Sequence, residues 1–168
     1  AVNLAGRQIQ QADLPQVVAA ALEGAGLDPK YLELEIVEEV IMEHLDQAVD
    51  VLTQVKELGV TLAMDDFGTG YSSLSYLKRL PVDHLKIDRS LIGDIPTDPN
   101  DEAIARAVIA MGHSLGLAIT AEGVENSQQR EFLITEQCDR AQGWLYSPPL
   151  AAEVFDGFLM AELGRSKS

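Results

Sequence analysis

Apolar residues recur at Leu14, Val17, Val18, Ala21, Leu22 and Ala25, the spacing of one face of an α-helix. Asp13-Leu14-Pro15-Gln16 supplies a helix start, with Asp13 as the N-cap, an early Pro, and Gln16 three positions on. Gly24-Ala25-Gly26 predicts its end, and Asp28-Pro29 a turn. Residues 31–36 then alternate between polar and apolar, which predicts a strand. Leu45, Val49, Leu52 and Val55 return to helical spacing and stop at Gly59. Residues 60–64 form a short, nearly continuous apolar run, the pattern of a strand in a covered parallel sheet. A helix over 72–79 broken by Pro81, a strand over 82–87 and a Pro/Asp/Asn loop over 96–101 follow. Ile104, Ala107, Val108, Met111 and Leu115 predict a long helix ending at Gly116, then a strand over 117–121 and a helix over 128–136. A short strand near Gln142 and a terminal helix carrying Val154, Phe155, Phe158, Leu159 and Leu163 complete the pattern, which opens on a strand over 1–4.

Strands alternating with helices at this spacing predict βαβ units and a parallel sheet. About six units follow one another with no linker, repeat or low-complexity stretch. An open doubly wound sheet and a closed (β/α) barrel both fit that rhythm. A full barrel needs about 250 residues, so six units in 168 residues predict a barrel missing its first part.

Charge narrows the function. Twelve Lys and Arg stand against 27 Asp and Glu, a formal net charge of −15. No basic face is available to replace phosphate counterions, which argues against a nucleic-acid polymer as partner. A small phosphorylated ligand remains open, because bound cations reverse the local sign of charge. No apolar run is long enough to span a bilayer, so no membrane contact is expected of this segment. The first residues lack a basic n-region, and the single Cys138 excludes an internal disulfide framework. The cytoplasm is the expected compartment.

The acids fall at strand ends. Glu35 lies at the end of the second predicted strand, Asp65 and Asp66 follow the third, Asp88 the fourth, and Glu122 and Glu125 the fifth. Asn3 ends the first and Gln142 the sixth. In parallel α/β folds ligands bind at this edge of the sheet. Carboxylates gathered there repel one another unless cations or protons intervene. Oxygen donors without a His or Cys cluster suit Mg²⁺ or Mn²⁺, and adjacent aspartates can bridge two ions, the layout of two-metal phosphoester cleavage. Each residue also has a plainer reading. One of Glu33 and Glu35 would face solvent by alternation. Asp65-Asp66 before Gly68 fits turn chemistry, Asn3 fits a strand-end turn, and Glu122 or Glu125 could cap the next helix. Lys86 stands in the apolar run Leu85-Lys86-Ile87, where a lone ammonium is costly, so it is expected to meet a carboxylate or phosphate. The glycines at 68 and 70 lack the ending of a Walker loop. His44, His84 and His113, on helices or in a turn, read as surface or packing residues, and Cys138 as a small buried apolar one. Trp144 and Tyr146 fit either stacking on a base or core packing.

Together, Val2-Asn3-Leu4, Leu34-Glu35-Ile36-Val37-Glu38, Asp65-Asp66-Phe67-Gly68-Thr69-Gly70-Tyr71-Ser72-Ser73-Leu74, Leu85-Lys86-Ile87-Asp88, Ala121-Glu122-Gly123-Val124-Glu125 and Gln142-Gly143-Trp144-Leu145-Tyr146-Ser147-Pro148-Pro149-Leu150 resemble EAL-type cyclic di-GMP phosphodiesterases. They do so in family order and spacing. The resemblance implies an α/β fold, a (β/α) TIM-like barrel of EAL type lacking its first strand and helix. Residues 1–168 would form the C-terminal major part of a single such domain. It implies metal-dependent hydrolysis of cyclic di-GMP to linear pGpG with two divalent cations, Mg²⁺ or Mn²⁺. Asn3, Glu35 and Asp65 would ligate one ion, and Asp65, Asp66 and Glu122 the other. Lys86 would position or activate the attacking water and contact the phosphate, with Asp88 supporting it. Glu125 and Gln142 would hold water, and Asp66, Lys86, Gly143 and Pro149 would meet the substrate. Glu38 would anchor the 66–73 loop, which with the adjacent helix would form a homodimer contact. The Glu-Ala-Leu motif, with its metal-ligating Glu and substrate-binding Arg, would lie upstream of Asn3. Val37 and Glu39 stand where the family usually has Thr and Ser, beside the loop anchor. No diguanylate cyclase signature is present. The alternative is a receptor that binds cyclic di-GMP without cleaving it. Such members usually lose metal ligands, whereas all five remain here. The segment alone would expose sheet edges and is expected to aggregate.

Overall fold

Six parallel strands pair in the order β1-β2-β3-β4-β5-β6 in the computed structural model, which describes residues 1–38, 41, 45–68 and 74–165. The strands are β1 (Val2–Leu4), β2 (Glu33–Val37), β3 (Thr61–Phe67), β4 (His84–Ile87), β5 (Ala118–Ala121) and β6 (Arg140–Ala141). Between and after them run α1 (Gly6–Ile9), α2 (Leu14–Ala25), α3 (Leu45–Glu57), α4 (Leu74–Leu77), α5 (Pro99–Ser114), α6 (Ser127–Thr135) and α7 (Ala152–Arg165). A doubly wound sheet reverses its strand order at a switch point. This order never reverses, so successive crossovers wind one way, as in a barrel wall. The chain thus has the architecture of a partial TIM-like (β/α) barrel.

Strand alternation divides the sheet into two chemical faces. Leu34, Ile36, Leu62, Met64, Leu85 and Ile87 are at most 3% exposed and form the core with the helices. That layer is completed by Val18 and Leu22 of α2, Leu52 and Val55 of α3, and Ala105 and Ile109 of α5. Burying each such large aliphatic side chain contributes about 1.5–3 kcal/mol. The opposite face carries Glu33, Glu35, Asp65, His84 and Lys86. Register holds its polar residues in line: Asn3 opposes Glu35, and Lys86 opposes Thr120.

Several boundaries differ from those the pattern predicts. β3 runs on to Phe67, so Asp65 and Asp66 belong to the strand rather than to a turn after it. Val60 lies outside that strand, and β4 begins only at His84. His84 is therefore a strand residue, not a helix or turn one. It contacts the Glu33 carboxylate and lies 3.2 Å from Arg140 Nη1. α5 starts at Pro99, inside the expected 96–101 loop, because the Asp98 carboxylate accepts from the Asn100 N–H at 2.8 Å and caps it. The Asp13 side chain, by contrast, makes no cap hydrogen bond, and a one-turn helix precedes α2. Of the helix expected over 72–79, residues 74–77 are helical, and 72–73 lie outside the described residues, as does His44. Val154, Phe155, Phe158, Leu159 and Met160 of α7 are all exposed. Among the described residues no helix is long and apolar enough to cross a membrane.

Candidate active site

The polar face of the sheet converges on Lys86. Its side chain is 8% exposed, and its Nζ lies 2.8 Å from Glu35 Oε1, 2.9 Å from Asp65 Oδ1 and 2.7 Å from Glu122 Oε1. These groups come from β2, β3, β4 and the residue after β5. Neighbouring parallel strands stand about 4.8 Å apart, so one long side chain in the middle reaches carboxylates on both sides. Burial alone would push the Lys86 ammonium toward neutrality. The bonds to Glu122, Glu35 and Asp65 outweigh it and raise the pKa above the usual lysine range, so Lys86 stays charged. The Glu122 pKa is raised too, which in a carboxylate favours the neutral form. Burial raises its pKa, Lys86 opposes the rise, and the charges of Asp65 and Glu35 add to it.

Asp66 joins the cluster through a backbone irregularity. In β3 against β4, Met64 pairs with Leu85 and Phe67 with Ile87, so three steps on one strand match two on the other. This extra residue is a β-bulge, a feature that re-aims side chains. Asp66 sits in it with φ +56°, a left-handed conformation that Asp tolerates better than most residues. Regular alternation would send Asp65 and Asp66 to opposite faces. Here carboxylate oxygens of Asp65, Asp66 and Glu122 lie within 4.8 Å of one another. The donor set is all oxygen and strongly negative, which fits a divalent hard cation. Three carboxylates thus surround one ammonium, and a fourth, Asp66, stands beside two of them.

The remaining site residues border a cleft of about 770 Å³ beside this cluster. Asp66, Asp88, Arg89, Glu122 and Glu125 line it on the strand side, and Gln142, Gly143, Trp144 and Pro149 line it beyond β6. Asp88 caps the 3₁₀ turn Arg89–Leu91 by accepting from the Ser90 N–H at 2.9 Å. Its partial burial works against ionisation, but the bonds from Ser90 and the nearby Arg89 hold its pKa below the usual value. Asp88 is not among the described carboxylates within 4 Å of Lys86 Nζ. Glu125 and Gln142 are exposed at the cleft, and Asn3 is exposed opposite Glu35. Glu38 is 6% exposed and borders a small apolar recess formed by Ile41, Met64, Phe67 and Leu77. Most of the loop it is expected to anchor, 69–73, lies outside the described residues.

Three features escape the sequence pattern. Trp144 is 74% exposed and lines the cleft, and Tyr146 is 46% exposed, so neither packs in the core. Arg89 brings a positive charge to the cleft wall. The third is a buried amide, Gln129. The cap of α6 is Asn126, boxed with Gln129, rather than Glu122 or Glu125. Cys138 is half-buried, with Sγ 3.2 Å from the Arg140 carbonyl, and burial pushes its thiol pKa up.

Gly143 shows how closely the cleft walls approach. A Cβ there would stand 2.2 Å from Val124 O and 2.3 Å from Val124 N. Val124 N–H donates to the Gln142 carbonyl at 3.0 Å, so any side chain at 143 must push these hydrogen-bonded segments apart. Gly143→Ala is expected to destabilise the parent protein by about 1–3 kcal/mol, the scale of overpacking. Urea unfolding checks this, and an unchanged midpoint would contradict the geometry.

Geometry and chemistry define a parallel β/α domain of barrel type with an acidic site at the C-terminal strand ends, its donor set compatible with a divalent cation. The chain belongs to the EAL domain family, whose pattern matches residues 1–149. It is 49% identical over 161 residues to a Pseudomonas aeruginosa protein named cyclic di-GMP phosphodiesterase NbdA, covering 96% of this chain and 21% of that one. It thus spans about a fifth of the length of such curated relatives. Among solved structures, the phosphodiesterase PaMucR in complex with c-di-GMP superimposes with a TM-score of 0.86 at 44% identity, over 91% of this chain and 62% of that one. Klebsiella pneumoniae BlrP1, solved with manganese and the cyclic dinucleotide, gives a TM-score of 0.81 at 34% identity, over 88% and 38%.

Proposed function

We propose that residues 1–168 are the C-terminal major part of an EAL domain that hydrolyses cyclic di-GMP to linear pGpG with the help of two divalent cations, Mg²⁺ or Mn²⁺. The observation that carries this reading is the convergence of Glu35, Asp65 and Glu122 on Lys86, with Asp66 turned into the same cluster beside a cleft. Asn3, Glu35 and Asp65 would hold one cation, and Asp65, Asp66 and Glu122 the other. When bound, the cations would make water nucleophilic near neutral pH and offset charge on the phosphoryl oxygens. Lys86, held cationic by its three partners, cannot accept a proton. It would instead fix the phosphate and orient the attacking water. Glu125 and Gln142, on facing sides of the cleft, would hold that water in line. Asp88 shapes the wall that carries Arg89. The water oxygen would bond to phosphorus as the bond to the 3′ oxygen breaks, and that oxygen would leave with a proton.

The same reading takes the domain to be cytoplasmic and to pair as a homodimer through the loop after Asp66. The test is incubation of the parent protein with cyclic di-GMP and Mg²⁺, Mn²⁺ or chelator, followed by chromatography. The expected result is pGpG with either ion and none with chelator. Retention of the dinucleotide without product under all three conditions would favour the receptor reading and overturn this one.

A further inference from the structure

Gln129 is 2% exposed in the first turn of α6, and its side-chain amide is fully used. Oε1 accepts from the backbone N–H of Glu125 at 2.7 Å and of Asn126 at 3.1 Å. Nε2 donates to the carbonyls of Ile92 at 3.1 Å and Gly93 at 3.0 Å. A primary amide offers two donor hydrogens and two acceptor lone pairs. All four go to backbone, on two segments far apart in sequence.

Both segments start in the wall of the cleft. One runs from Asp88 and Arg89 to Gly93, and the other from Glu122 and Gly123 to Asn126. They also meet at two further points. Glu122 N–H donates to the Ile87 carbonyl at 3.1 Å. Gly123, with φ +69°, sits against Arg89, where a Cβ would stand 2.4 Å from Arg89 Cβ. The acidic segment is therefore held at its start by Ile87, in its middle by Arg89, and at its end by Gln129. A helix cap alone asks for the bond to Asn126. It does not ask for the two donated across to Ile92 and Gly93. Without its partner the carbonyl of Ile92, a buried residue, would carry a desolvation penalty, while the three part-buried groups would turn to water and loosen the link between the segments.

We infer that Gln129 is a positioning residue whose buried amide sets the separation of the 88–93 and 122–126 segments, and through it the placement of Glu122 and Glu125 relative to Lys86. The inference deepens the phosphodiesterase reading and rests on it. Gln129→Met keeps the length and removes all four bonds. Gln129→Glu keeps the two accepted bonds and removes the two donated ones.

The test compares both variants of the parent protein with wild type. Each is expected to lose about 10–100-fold in kcat, the scale for residues that orient ligands from behind. KM for cyclic di-GMP is expected to stay within about threefold, with more Mn²⁺ needed for half-maximal rate and faster hydrogen exchange at the amides of 122–126. Leu133→Ala, in the core on the same helix, is expected to lower Tm and leave kcat and the Mn²⁺ requirement unchanged. Folded variants with kcat within twofold of wild type and unaltered exchange would overturn the inference. So would a Leu133→Ala protein that loses kcat to the same degree. If neither Gln129 variant folds, wild-type exchange decides: Glu125 and Asn126 amides no better protected than those of exposed Ala12 and Asp13 would overturn it. A wild-type protein that does not cleave cyclic di-GMP sinks the phosphodiesterase reading, whereas the exchange measurement still judges the clamp.

Discussion

Asp65→Asn is expected to lower cyclic di-GMP turnover by the parent protein on the order of 10³-fold or more, the scale on which preorganised charge acts in catalysis. Asp65, like Glu122, takes part in both contacts that define the site. One oxygen accepts from Lys86 and from the Asp66 N–H at 3.1 Å, and the group also belongs to the cluster with Asp66 and Glu122. Asn keeps the shape and one acceptor oxygen, so both hydrogen bonds can survive while the negative charge is lost. The fold should therefore survive as well. Like-charge repulsion falls when Asp65 is neutral, and some of the upward push on Glu122 comes from Asp65. Tm without divalent ions is expected to hold or rise, while the rise in Tm on adding Mn²⁺ shrinks. Product chromatography and thermal unfolding on one preparation check this. Turnover within tenfold of wild type would remove Asp65 from its assigned role.

Lys86→Met is expected to damage stability and turnover together. Met fills a similar volume, but Glu35, Asp65 and Glu122 then lose the cation bonded to all three at 2.7–2.9 Å. Breaking a buried ion pair by removing one partner costs about 3–5 kcal/mol, because the other charge stays buried and unpaired. The stranded acids will take up protons. A carboxyl whose pKa is raised on folding adds stability that is full below its unfolded pKa and is lost as pH rises through the folded pKa. Glu122 is already raised in the presence of Lys86. The variant is therefore expected to lose more stability than wild type between mildly acidic and neutral pH. Urea unfolding in chelator at both pH values checks that slope, and added Mn²⁺ should recover some of the loss. A neutral-pH stability equal to wild type would mean that the three carboxylates do not depend on Lys86.

These effects divide the molecule by the range of the forces involved. The alternation that predicts β2 and the helical spacing of α2 and α3 are local, and all three elements form, although β2 runs over Glu33–Val37 rather than 31–36 because a 3₁₀ turn takes Pro29–Tyr31. Boundaries moved where a single side chain competed, as where the Asp98 cap starts α5 inside an expected loop. Trp144 could not be read because an aromatic beside a strand end fits core or cleft equally until the neighbouring walls are in place.

The amino-acid sequence alone determined the number and sense of the strands, the family motifs, the all-oxygen donor set, and the presence of one costly Lys in an apolar run. Those follow from residue type and short-range periodicity. Only the tertiary structure decided that Lys86 is shared by carboxylates from three neighbouring segments, and that a bulge turns Asp66 to the side of Asp65. It alone decided that Gln129 binds together two segments that start in the cleft wall. Each depends on strand register or on loops meeting across the sheet, and a side chain's partner there lies tens of residues away, where no local spacing records it.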